Sequence, residues 1–110
     1  MADQSLGDFE QIVMLAILRL GENAYGVTIR EEIAAKTNRD PSPGALYTTL
    51  VRLEDKGLLK SRLGDPTAAR GGRAKRFVKL TGTGIAAIAR AQRAYQNLLH
   101  GVSLPDLAHG

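Results

Sequence analysis

The sequence predicts a mainly α-helical fold that carries one small two-stranded β element, and three observations predict it. The first half holds three segments whose apolar residues recur at helical spacing, each closed by a glycine or a polar loop. Two short runs of alternating character follow, split by a connection containing proline and paired glycines. The last third returns to helical spacing in a heptad-like pattern.

Composition bounds the size of the core. A chain of 110 residues suits one domain with a modest core, so support from a partner subunit is expected. Hydrophobic residues make up 44% and aromatic residues only 5%, with no Trp, so the core is aliphatic. There is no cysteine, which excludes disulfides, thiolate zinc sites and cysteine nucleophiles. The polar start at Met1-Ala2-Asp3-Gln4 and the shortness of the longest apolar run, Ile12 to Leu18, predict a cytoplasmic protein with no membrane segment.

The first helix is expected from Asp8, with Phe9, Ile12, Val13, Ala16, Ile17 and Leu20 on one face. Met14, Leu15 and Leu18 form a second apolar stripe. A helix apolar on two sides is expected to bury both, the second against another subunit. Gly21 ends it. The second helix is expected over Tyr25 to Thr37, buried through Ile29 and Ile33. The third has the clearest start: Ser42 can cap it, and Pro43 fits the first helical position, where its missing N–H is not needed. Leu46, Leu50 and Leu53 face inward, Gly44, Thr48, Val51 and Asp55 outward, with Tyr47 and Arg52 on the flanks, and Gly57 stops the helix. Glu54 and Asp55 near its C-terminus oppose the helix dipole, and Lys56 is expected to offset them.

Strands are expected at Leu58 to Leu63 and Ala74 to Leu80, the second with Val78 and Leu80 on one face and Lys75, Phe77 and Lys79 on the other. The connection from Gly64 to Arg73 is too long for a tight hairpin and is expected to project as a flexible loop. The last helix is expected from after Thr81 to about His100, with Ile85, Ile88, Gln92, Tyr95, Leu99 and Val102 as an a/d seam. Such a short seam reads as a packing stripe, most naturally against a second subunit. The organisation expected is one domain over 1–110, with a helix-and-strand region at 6–80, the last helix at 82–102 and a loose tail at 103–110.

Charge is unevenly placed. Between Lys56 and Lys79 lie eight basic residues and one acidic residue, Asp65, while the rest of the chain holds seven basic against ten acidic. Four cations fall within Arg70-Gly71-Gly72-Arg73-Ala74-Lys75-Arg76. Concentrated positive charge suits an anionic partner, although a solvated hairpin tip reads the same on charge alone. The phosphate-loop patterns of nucleotide-binding proteins are absent.

The element order is that of a winged helix-turn-helix, whose second motif helix enters the major groove of DNA. On that reading double-stranded DNA is the partner. Gly44 lets backbone come close, the hydroxyls of Ser42, Tyr47, Thr48 and Thr49 bond phosphates or bases, and Arg52 reaches a phosphate or guanine. Arg70, Arg73 and Lys75 belong to a basic wing on the backbone or in the minor groove.

The segments Ala24-Tyr25-Gly26, Gly44-Ala45-Leu46-Tyr47-Thr48-Thr49-Leu50, Leu53-Glu54-Asp55-Lys56-Gly57-Leu58 and Gly71-Gly72-Arg73-Ala74-Lys75-Arg76-Phe77, followed by Leu80-Thr81 and Gly84, resemble in order and spacing the PadR family of winged-helix regulators, in its short form with a single C-terminal helix. The resemblance covers roughly 6–99. It implies a homodimeric transcriptional repressor, with Tyr25 near the phosphates. It also implies a last helix packed on the partner, including the partner's first helix. The dimer interface then draws on Met14, Leu15, Leu18, Ile85, Ile88, Gln92, Tyr95 and Leu99. This last helix is short and lacks Trp; if an effector enters between subunits, Tyr95 is the aromatic candidate, and plain dimer packing is the simpler role for it.

Nothing in the chain reads as catalytic. His100 and His109 lie at or beyond the end of the last helix, without sequence partners for a triad or a metal site. The adjacent acids Glu31-Glu32 and Glu54-Asp55 point about 100° apart on their helices and form no acid/base pair. No cofactor and no metal are expected. The reading from another class is a winged-helix module that binds an acidic protein and not a specific DNA.

Overall fold

In the computed structural model, residues 5–64 and 75–105 are described. The elements are α1 (Asp8–Leu20), α2 (Gly26–Lys36), α3 (Pro43–Asp55), β1 (Leu59–Leu63), β2 (Arg76–Leu80) and α4 (Gly82–Leu99), with one 3-10 turn, Gly21–Asn23, between α1 and α2. The mainly helical fold with one small sheet is the one expected. Tyr25 and Thr37 are extended caps of α2 and not its ends. Ala74, the expected start of the second strand, lies outside the described residues.

Local chemistry explains the boundaries. Gly21 closes α1 at φ +58°, a conformation glycine adopts without a Cβ penalty. Ser42 Oγ accepts the Ala45 N–H at 3.1 Å, and Pro43 follows at the first helical position of α3. Removing this cap in Ser42→Ala is expected to cost about 1 kcal/mol, read as a shift in the urea midpoint; an unchanged midpoint would show that the bond contributes nothing. At the other end of α3, Gly57 takes φ +76°. Its N–H reaches the Glu54 carbonyl at 2.9 Å, and the Leu58 N–H reaches Leu53 at 3.0 Å. These paired bonds satisfy the last carbonyls of α3 and turn the chain into β1.

β1 and β2 are antiparallel, with Leu59 opposite Leu80, Ser61 opposite Val78 and Leu63 opposite Arg76. The α1–α2 turn joins them: the Val78 N–H bonds the Ala24 carbonyl at 2.9 Å, and Tyr25 forms an isolated bridge with Phe77. Thr81 then ties α4 to the α3–β1 turn. Its N–H bonds the Leu58 carbonyl at 3.0 Å, its hydroxyl donates to the Gly57 carbonyl at 2.7 Å, and its Oγ1 accepts the Gly84 N–H at 3.0 Å, capping α4.

α1 is the centre of the molecule and packs on α2, α3, β2 and α4. The core joins Val13, Met14, Ala16 and Ile17 of α1 to Ile29 and Ile33, Leu46 and Leu53, the Leu58-Leu59 pair, Val78 and Leu80, and Ala87 and Ile88 of α4. Two residues expected on partner-facing stripes are therefore corrected. Met14 is 0% exposed and Ile88 2% exposed, both within the chain's own core. Four neighbouring elements widen the buried arc of α1 enough to take in Met14, leaving Leu15 and Leu18 outside. Ile88 follows Gly84 by one helical turn and shares its inward face, so the a/d seam of α4 is interrupted there. Val102, the expected last member of the seam, lies beyond the helix and past Gly101, which takes φ +78°.

Candidate nucleic-acid interface

The outward side of α3 is polar and open. Tyr47 is 65% exposed, Gly44, Thr48, Val51 and Arg52 are exposed, and a Cβ built on Gly44 would meet no atom within 4 Å. Ser42 is exposed at the cap, with its Oγ engaged by Ala45. Thr49 departs from expectation. It is 5% exposed, because it lies on the inward face between Leu46 and Leu53. Its side chain is buried, away from the open side of α3.

Tyr25 and Lys75, distant in sequence, meet at the start of α2. Lys75 Nζ lies 3.3 Å from the Tyr25 hydroxyl and 4.5 Å from the ring centroid. The Tyr25 ring meets Phe77 edge-on, with centroids 5.3 Å apart and an interplanar angle of 68°. Arg62 sits 4.7 Å from the Phe77 centroid and 3.9 Å from Glu22. Arg70 and Arg73 lie outside the described residues.

A groove of about 400 Å³ lies between α2, α3 and β2. It is lined by Gly26, Val27 and Arg30 of α2, Pro43, Leu46, Tyr47 and Leu50 of α3, and Arg76 of β2. Arg30 Nε donates to the Pro41 carbonyl at 2.9 Å, which fixes the turn between α2 and α3. Arg76 donates to Ser61 Oγ at 2.9 Å, and Ser61 in turn bonds Glu54 at 3.2 Å. The start of α2, one edge of α3 with Tyr47, and Arg76 of β2 thus border one concavity. Arg62, Arg76 and Phe77 were not singled out from the sequence as site residues. An aromatic residue inside a basic run is the signal that would have found Phe77.

Behind α3, Lys56 does not offset Glu54 and Asp55. Its Nζ bonds Glu10 at 2.9 and 3.1 Å, while Glu10 also accepts the Gly7 N–H at 2.8 Å. Burial pushes the Glu10 carboxyl up. The Gly7 N–H, the Lys56 ammonium and the nearby charge of Arg52 outweigh burial and hold it below its ordinary value. The three-dimensional fold supplies Lys56 with a better-buried carboxylate than its chain neighbours.

The surface of α4 carries the remaining expected residues. Ile85, Tyr95 and Leu99 are exposed, as are Leu15 and Leu18 on α1. Gln92 is half-buried and donates to Gln11 Oε1 at 3.0 Å. Tyr95 borders a groove of about 590 Å³ with Gln11, Ala87, Ala91 and Leu98 among its lining. Among the described residues no helix is long and apolar enough to cross a membrane.

Comparison with known proteins places this geometry. The family model described as "Transcriptional regulator PadR-like family" matches residues 14–90. A PadR family transcriptional regulator from Eggerthella lenta superposes with a TM-score of 0.66 at 25% identity, covering 84% of this chain and 78% of that one. A PadR-like transcriptional regulator from Bacillus cereus gives 0.68 at 17% identity, covering 86% of each chain. The apo form of MarR from E. coli gives 0.59 at 22% identity, over 89% of this chain and 67% of that one. No curated protein matches the chain significantly in sequence. With a family match that runs from the middle of α1 through α2, α3 and the sheet to the middle of α4, the chain belongs to the PadR-like family of DNA-binding transcriptional regulators.

Proposed function

We propose that this regulator is a sequence-specific repressor that binds double-stranded DNA as a cytoplasmic homodimer on a pseudo-palindromic operator. One observation carries the reading: one edge of α3, the start of α2 and β2 border a single groove, with Arg30, Arg76 and Tyr47 on it. In this reading Gly44, Tyr47, Thr48 and Arg52 face the major groove, Ser42 and Tyr25 lie by the phosphates, and Arg70, Arg73 and Lys75 follow the backbone. The exposed Leu15, Leu18, Ile85, Tyr95 and Leu99 pack the two-fold interface, with Gln92 at its edge. Tyr95 is a packing residue first; a small-molecule effector that relieves repression would enter beside it.

Selection of bound duplexes from a random pool, followed by affinities at two salt concentrations, tests the proposal. An enriched palindrome with half-sites about one helical turn apart, bound at least about 10³-fold more tightly than a scrambled duplex, is expected. Equal and steeply salt-dependent binding to both would leave only a basic surface and favour an acidic protein partner. Lys75→Ala and Arg73→Ala are each expected to weaken binding to every duplex and to lower the salt slope by about one. Thr48→Ala and Arg52→Ala are expected to change which duplexes win, at about 1–3 kcal/mol per lost base contact. Unchanged preference in both would remove α3 from base readout.

A further inference from the structure

We infer that Phe77 is a positioning residue for DNA binding: it fixes the Tyr25 ring, which holds the Lys75 ammonium, so that phenol and ammonium form one seat for a backbone phosphate. The inference rests on the DNA-binding reading above and adds a residue whose apolar side chain acts only through its neighbours.

Phe77 is held from three sides. Its ring packs edge-to-face with that of Tyr25, centroids 5.3 Å apart, and Arg62 stands 4.7 Å from its centroid. Gly64 supplies the third side: a Cβ there would come within 2.6 Å of the Phe77 ring, and the Gly64 N–H bonds the Lys75 carbonyl at 2.7 Å. The backbone bridge between Tyr25 and Phe77 fixes the two rings relative to each other.

The chemistry at the far end matches a phosphate. Lys75 Nζ donates one proton to the Tyr25 oxygen at 3.3 Å. Two ammonium protons remain, and the phenol keeps its own proton to donate outward. Both groups therefore offer donors to the two non-bridging oxygens of one phosphate. A lysine on a free stem is a diffuse charge, whereas one resting 4.5 Å above a ring centroid is oriented before DNA arrives. Tyr25 sits at the cap of α2 and Lys75 at the root of β2, so the seat also sets how the wing lies relative to the helices.

The test measures affinity for the selected duplex across a salt series, with thermal stability in parallel, for Phe77→Leu, Gly64→Ala and Tyr25→Phe, each alone and combined with Lys75→Ala. Each single variant is expected to bind about tenfold more weakly, near the lower end for loss of a charge-assisted hydrogen bond. For Phe77→Leu and Gly64→Ala the salt slope should fall toward that of Lys75→Ala. In the Lys75→Ala background Phe77→Leu and Gly64→Ala should cost little further, while Tyr25→Phe still loses the phenol's own bond to the phosphate. Gly64→Ala displaces the ring without removing any donor, and it keeps the test open if Phe77→Leu unfolds. Equal losses in both backgrounds with a wild-type salt slope would make Phe77 a packing residue and overturn the inference alone. An unchanged slope in Lys75→Ala itself would overturn the wing's DNA contact, and the inference with it.

Discussion

Replacing Gly84 by alanine is expected to lower the thermal midpoint by about 10–20 °C, the equivalent of about 2–3 kcal/mol in a domain of this size. A Cβ at this position would stand 1.9 Å from the Leu58 carbonyl oxygen and 2.9 Å from its carbon. Those are backbone atoms in the turn that leads from α3 into β1, and they have no rotamer through which to escape. The same carbonyl accepts the Thr81 N–H, so moving it breaks the tie at the start of α4. Either α4 lifts off, uncovering Ala87 and Ile88, or the turn after α3 distorts. Gly82→Ala is the control: its Cβ would meet no atom within 4 Å, and an added methyl on this exposed site should be neutral or slightly stabilising. Circular dichroism melts of the two variants decide the matter. A Gly84→Ala midpoint close to wild type would show that the approach of α4 to Leu58 is not the constraint it appears by geometry.

The second large effect is expected at Lys56→Met, at about 2 kcal/mol of stability at neutral pH. This sits below the range for a fully buried pair because a third of the Lys56 side chain meets solvent. The variant leaves the buried Glu10 carboxylate with the Gly7 N–H as its remaining direct partner among the described residues. The pair also has a pH signature. The Glu10 carboxyl is held below its ordinary value of 4.5 in the folded chain, so the unfolded chain binds the proton first as pH falls. The pair's stabilisation is complete above about pH 4.5 and is lost as pH drops through the lowered folded value. Urea melts between pH 7 and pH 3 should show wild type converging on Lys56→Met as acid is added. Parallel pH profiles for the two proteins would rule out the ion pair as the source of this acid dependence.

Much of the architecture was legible in the chain because its punctuation is local. Ser42-Pro43, Gly57, Thr81 and Gly21 each act through bonds or dihedrals within a few residues, so helix ends and their caps could be read directly. The outward set on α3 was legible for the same reason, since helical spacing assigns Gly44, Tyr47, Thr48 and Arg52 to one side once Leu46 and Leu53 are inside. Thr49 was misread because its hydroxyl suggested a contact, whereas its position between those two leucines decides its direction.

Where several elements converge on one residue, spacing no longer suffices. Met14 and Ile88 look like surplus apolar residues on a helix taken alone, yet α1 is surrounded by α2, α3, β2 and α4, and that crowding draws both inside. Lys56 has acids as chain neighbours but reaches Glu10, and Lys75 finds Tyr25 only after the sheet brings residues 50 positions apart together. The chain by itself determined the elements, their ends, the run of positive charge from Lys56 to Lys79 and the outward side of α3, all consequences of composition, short-range periodicity and capping. The tertiary structure alone decided which charges pair, which apolar residues stay outside and what holds the wing root, because those depend on distances that only packing sets.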